Sequence, residues 1–247
     1  MFPAMGLEQP ARRAMRVAYQ RDGYAYAKQF LSDLECREVV ATVEEHRAKM
    51  INVEIDSWLA TNKFFTINGD ELEELVPLVA RLTTDLCEVA SELEGRQLAP
   101  LENKTVGRSL NLTPAGGTLS WHYDRNLVTA VVHLNSVQGG EFEMYPRYRV
   151  RLRNNHFGVR KFAQRVFDLG LRPGAVRRVL GRKVAVPPEP GAVGFMDSSC
   201  LHQVAPVRGS TSRAAIVICY DEPGKVFSRD RTQNYYGYRD RPANPYG

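Results

Sequence analysis

The 247-residue sequence contains no run of about eighteen apolar residues, the length a membrane-crossing helix needs. Residues Met1 to Arg16 hold no uninterrupted apolar core and carry Arg12, Arg13 and Arg16, which argues against a secretory leader. The four cysteines, Cys36, Cys87, Cys200 and Cys219, form no CxxC pair. That argues against a disulfide framework or a structural zinc site, and they read as reduced thiols of a cytoplasmic protein. Internal repeats and long low-complexity tracts are also missing, so no repeat architecture is indicated.

Acidic residues are nearly absent from one stretch. Between Arg147 and Lys183 stand twelve Lys and Arg against one acid, Asp168, so this segment carries +11 of a net charge of +5 and leaves −6 for the rest. The basic character is therefore regional. Within it, Arg147, Arg149, Arg151 and Arg153 alternate with Tyr148, Val150 and Leu152, which as a strand puts four arginines on one face. Val159, Phe162, Val166 and Leu169 follow with helical spacing.

The remaining pattern divides in two. Asp22-Gly23-Tyr24-Ala25-Tyr26 reads as a turn into a short strand, and Ser32 to Glu35 as a capping box opening an amphipathic helix with Leu34, Val39, Val40 and Val43 on or near one face. A second helix is expected over Asp70–Glu94, with Pro77 dividing it or marking its start. From about Thr105, short β-rich runs take over: Val106–Leu112, Thr118–Tyr123, Leu127–Leu134, Glu141–Tyr145, Ala192–Met196 and Arg213–Tyr220, punctuated by Pro114 to Gly117, Gly139-Gly140 and Pro187 to Gly191. Helices first and strands second predict a mostly β antiparallel sandwich or barrel with helices packed outside. We expect one domain over residues 1–247: a mainly helical support at 1–104, a β core at 105–220 with an Arg-rich insert at 146–190, and a C-terminal tail at 221–247. The tail carries Tyr235, Tyr236, Tyr238 and Arg239.

One motif concentrates chemistry. In Trp121-His122-Tyr123-Asp124, residues i and i+2 of a strand share a face, so His122 and Asp124 can address one metal ion. HxD alone is a weak signal and also fits a surface turn. His202, after the strand Ala192–Met196, supplies a third donor. Two imidazoles and a carboxylate make a facial triad suited to iron(II), with open positions left for other ligands. Arg213 opens the apolar run Ala214 to Ile218, so a buried strand there would bury a cation, which a bidentate carboxylate would satisfy. Thr129 and His133 share the inward face of the strand around Val131, and Asn111 lies on the preceding strand.

These residues sit in stretches that together resemble the prolyl-hydroxylase-like members of the iron(II)/2-oxoglutarate-dependent oxygenase superfamily: Leu119 to Asp124, Thr129 to Asn135, Gly139 to Phe142, Pro190 to Phe195 and His202 to Arg213, in that order, across roughly 105–220. The resemblance implies a double-stranded β-helix core. It implies iron(II) on His122, Asp124 and His202, with 2-oxoglutarate and dioxygen as co-substrates and ascorbate as an accessory reductant. It also implies that Arg213 holds the distal carboxylate of 2-oxoglutarate, helped by His133 where relatives often have Tyr. Many relatives have a hydroxyl two places after the arginine; here that position is Ala215, so Thr129 or Thr211 stands in as a candidate.

By the same resemblance the expected reaction is hydroxylation of an unactivated C–H bond, because Asp124 is retained where related halogenases free that site for halide. The expected substrate is a small molecule, anionic or carrier-tethered, such as a free or tethered amino acid. Three other readings stay open: a protein or peptide hydroxylase of the prolyl type, a nucleic-acid oxygenase prompted by the basic insert, and a cupin-like module that binds metal without turnover. Arg208 and Arg213 do not reproduce the arginine pattern of the nucleic-acid demethylases, which weighs against the second of these.

Overall fold

The computed structural model describes residues 9–56, 61–122, 124, 126–149 and 181–225. Five α-helices occur among them, with one 3-10 turn at Arg47–Lys49: α1 (Gln9–Asp22), α2 (Asp33–Glu45), α3 (Gly69–Leu75), α4 (Leu78–Glu94) and the single turn α5 (Lys104–Gly107). The strands are β1 (Tyr24–Ala27), β2 (Ile51–Asp56), β3 (Thr61–Asn68), β4 (Ala99–Pro100), β5 (Arg108–Thr113), β6 (Leu119–His122), β7 (Val128–His133), β8 (Phe142–Arg149), β9 (Val184–Val186), β10 (Val193–Asp197), β11 (Cys200–Val204) and β12 (Arg213–Asp221). They hydrogen-bond in the order β1-β10-β7-β12-β5-β3-β6-β11-β8-β9, with β2 added to β3 and β4 to β12. All the pairings are antiparallel, and the sheet is continuous only because β3 touches β6 through Asn62 and Leu119. That slender joint separates a broad sheet ending at β3 from a smaller one, β6-β11-β8-β9.

The central strands of the broad sheet alternate strictly. On β5, Leu110 and Leu112 enter the main hydrophobic core while Ser109, Asn111 and Thr113 line a cavity on the other face. On β12, Ala214, Ile216, Ile218 and Tyr220 join the core, and Arg213, Val217 and Cys219 line the cavity. On β7, Val128, Ala130 and Val132 face the core, and Thr129 and Val131 the cavity. The period of two thus sorts apolar residues to one side and functional ones to the other, with both faces buried. Against the core face lie Val79, Leu82, Leu86 and Leu93 of α4 with Met15 and Tyr19 of α1, all at most 7% exposed. Burying each large aliphatic side chain contributes roughly 1.5–3 kcal/mol.

Local signals set the helix ends. Ser32 Oγ accepts from the Glu35 amide while the Glu35 carboxylate accepts from the Ser32 amide, the expected capping box. Cys36, Val39 and Val43 make the buried face of α2; Leu34, expected on or near that face, is instead 58% exposed, because the i, i+3, i+7 stripe starts at Cys36, two residues on and about 200° round the helix. Pro77, which has no amide hydrogen to give, divides the 70–94 helix into α3 and α4.

The expectation of a mainly helical segment up to residue 104 omits one feature. β2 and β3 form a hairpin there, and β3 sits inside the sheet between β5 and β6. β2 buries only Val53. β11, which carries His202, is a further strand that the pattern did not announce. The helical spacing at 159–169, the arginine alternation beyond Arg149 and the tyrosines of the tail lie outside the described residues. Among the described residues no helix is long and apolar enough to cross a membrane.

Candidate active site

His122 ends β6 and His202 lies opposite it in register on β11. The two rings are 4.1 Å apart, centroid to centroid. Asp124 follows β6; its Oδ1 is 3.9 Å from His122 Nε2 and its Oδ2 3.7 Å from His202 Nε2. One donor atom from each of the three lies within 4.8 Å of the others, spacing that one metal ion can bridge.

Main-chain carbonyls fix both rings. His122 Nδ1 is 2.7 Å from Ser120 O, and His202 Nδ1 is 2.9 Å from Cys200 O. A carbonyl only accepts, so each Nδ1 carries a hydrogen and each Nε2 is the ring atom left to face Asp124. Burial and the neighbouring His122 push His202 down to about 4, against the pull of Asp124, so the ring is neutral near pH 7 as a metal ligand must be.

Arg213 begins β12 and is 2% exposed, yet lines the same cavity as the three donors. Burial draws its guanidinium down to about 10. Among the described residues no carboxylate pairs with it, and its Nε is a buried donor with no partner. Among the described residues its side chain has one hydrogen-bond contact, from Nη2 to His133 Nδ1, at 3.4 Å. Because a guanidinium only donates, His133 accepts there and is neutral, held down to about 3 by burial and by the Arg213 charge. Gly140 packs against the arginine stem: it has φ +65°, and a Cβ there would fall 2.9 Å from Arg213 Cδ.

The other expected residues divide between the two ends. Asn111 lines the cavity on β5 in register with Ala215, and Thr113, which the sequence did not single out, stands in register with Arg213. Thr129 lies at the metal-facing end, its Oγ1 3.1 Å from Asp124 Oδ2. Asn126 and Ser198, also unflagged, surround it. Their only sequence signal is proximity to HxD and to the turn before His202. Phe64, Val106, Leu119, Phe142, Met196 and Val204 supply the apolar walls.

No family model matches the sequence, and no curated protein matches it. Solved structures do. The epimerase SnoN, in complex with Fe3+, alpha ketoglutarate and nogalamycin RO, superposes with a TM-score of 0.65 at 18% identity over 90% of this chain and 93% of its own. HygX from Streptomyces hygroscopicus, with nickel, 2-oxoglutarate and hygromycin B bound, gives 0.58 at 13% over 86% and 88%. A prolyl-4-hydroxylase from Pseudomonas putida gives 0.55 at 15% over 86% and 100%. The chain therefore has the fold of the iron(II)/2-oxoglutarate oxygenases, a double-stranded β-helix core.

Proposed function

We propose that the protein is an iron(II)- and 2-oxoglutarate-dependent oxygenase in which His122, Asp124 and His202 hold the metal and Arg213 receives the distal carboxylate of 2-oxoglutarate. One observation carries this reading: a single cavity is lined by a His–Asp–His donor set and by a buried arginine whose Nε has no partner. The donor set fits iron(II): two imidazoles and a carboxylate, within bridging distance of one another, would hold the ion at the wall of a cavity that could admit further ligands. With 2-oxoglutarate and dioxygen, the bound ion would supply an oxidant able to hydroxylate an unactivated C–H bond, releasing succinate and carbon dioxide.

The chain's own contributions are binding and orientation. Ser120 O and Cys200 O keep the imidazoles turned to the metal. Arg213 offers a planar fork matched to a carboxylate, in a wall where water is largely excluded. The apolar walls shield the reacting atoms. The substrate is a small molecule: a concave, mostly apolar pocket with a few polar groups supports this, as do the neighbours bound to nogalamycin RO and hygromycin B. Free and carrier-tethered amino acids are the first to screen, because their anionic groups suit the basic stretch between Arg147 and Lys183. The four free thiols support a cytoplasmic location.

The test is an anaerobic visible spectrum of the protein with iron(II) and 2-oxoglutarate. A charge-transfer band that disappears in His122→Ala and weakens in Arg213→Ala is expected. Folded, metal-loaded protein with no band would contradict the oxygenase reading and favour a metal-binding module.

A further inference from the structure

Asp124 is held by a buried chain of side chains whose hydrogens run in one direction. As a carboxylate it only accepts, so Thr129 Oγ1, 3.1 Å from Oδ2, must donate. That uses the one hydroxyl hydrogen of Thr129, so the 2.8 Å contact with Ser198 Oγ has Ser198 as donor. Ser198 in turn can only accept from Asn126 Nδ2, 2.9 Å away. The same amide nitrogen lies 3.0 Å from Thr129 Oγ1 and 2.8 Å from Val128 O, two hydrogens shared among three acceptors. Thr129, Ser198 and Asn126 are 1%, 0% and 8% exposed, so bulk water does not compete for these bonds.

The main chain closes the same loop. The Asp124 amide donates to Ser198 O at 2.9 Å, and the Ser198 amide donates to Leu127 O at 3.0 Å. Ser198 belongs to the turn between β10 and β11, and β11 carries His202. The residue that steadies Asp124 is thus part of the turn that delivers the third donor.

We propose that Thr129, backed by Ser198 and Asn126, is a positioning residue that pre-orients the Asp124 carboxylate for metal and ties it to His202, rather than a contact to the co-substrate. This rests on the metal centre proposed above. The network is complete within the protein, so the carboxylate is aimed before a metal arrives, and removing the Thr129 hydroxyl should cost metal affinity about 10- to 100-fold.

The experiment titrates cobalt(II) alone, without co-substrate, into metal-free wild type, Thr129→Val, Thr129→Ser and Ser198→Ala, read by visible absorption and calorimetry with thermal melting alongside. Thr129→Val should bind cobalt about 10- to 100-fold more weakly, and Thr129→Ser should recover most of that loss. Ser198→Ala should fall between them. A purely structural role would lower the melting temperature and leave the affinity of folded protein unchanged; that result overturns the proposal, as does a Thr129→Ser variant as weak as Thr129→Val. Should Thr129→Val fail to fold, Ser198→Ala decides, and wild-type affinity in it overturns the proposal. Failure of wild type to bind cobalt would refute the metal centre itself, a separate outcome.

Discussion

The two ends of the cavity are built on opposite principles. At the His–Asp–His end the supporting groups find their partners inside the protein: Thr129, Ser198 and Asn126 bond to one another and to Asp124, and main-chain carbonyls accept from His122 and His202. At the other end Arg213 is buried with one long contact to a neutral histidine and an unpartnered Nε. A satisfied network holds a shape, whereas a buried cation without a counter-charge is costly until something anionic arrives. On the proposed reading the contrast divides the labour: the protein fixes the His122, Asp124 and His202 donors by itself, and leaves Arg213 for the ligand to complete.

Replacing Arg213 by Met should break this contrast most sharply. Losing a bidentate charged contact should weaken 2-oxoglutarate binding about 100-fold or more, from about 1.5–3 kcal/mol per charge-assisted hydrogen bond. Because the charge is unpaired, the same variant should melt at or above the wild-type temperature without ligand. A large loss of stability would show that Arg213 is a structural group.

Next in size is a pH effect at the arginine end. His133 is pushed from an ordinary 6.5 to about 3, so between these values the unfolded chain binds a proton that the folded chain refuses. Stability should therefore fall as pH drops through that window, by up to about 1.4 kcal/mol per pH unit for this residue, and level off below it. Denaturant melts of metal-free protein across the window should show a shallower slope in His133→Gln. An unchanged slope would mean His133 is protonated in the fold.

Gly140→Ala tests the arginine's placement more gently. The added Cβ meets Arg213 Cδ at 2.9 Å in a left-handed backbone, so a loss of roughly 1–2 kcal/mol of stability and a several-fold weaker 2-oxoglutarate affinity are expected, with cobalt affinity unchanged. Ala215→Ser, which restores a hydroxyl on the cavity side beside His133 and Asn111, should have the smallest effect. The expected gain in 2-oxoglutarate affinity is roughly two- to tenfold, the worth of one hydrogen bond.

Much of this was legible in the chain because its signals are local. The HxD spacing, the short β-rich runs set off by turn residues, and the Ser32 capping box each need only a few neighbouring residues. Arg213 stood out because a charge opened an apolar run. What stayed hidden depends on contacts between distant segments. Thr129 and Ser198 are 69 residues apart, and nothing near Thr129 announces that its hydroxyl turns to Asp124 instead of the co-substrate. The β2–β3 hairpin was missed because β2 is mostly exposed and its residues carry no clean apolar face.

If one molecule of 2-oxoglutarate bridges the two ends of the cavity, binding at the two ends must be coupled, and that coupling is the most direct test. Calorimetric titration of 2-oxoglutarate into metal-free and cobalt-loaded protein should show much tighter binding when the metal is present. By linkage, cobalt should bind more tightly by the same factor when 2-oxoglutarate is present. In Arg213→Met the metal-dependent gain should persist on a weaker baseline. Equal affinity for 2-oxoglutarate with and without metal would contradict the account.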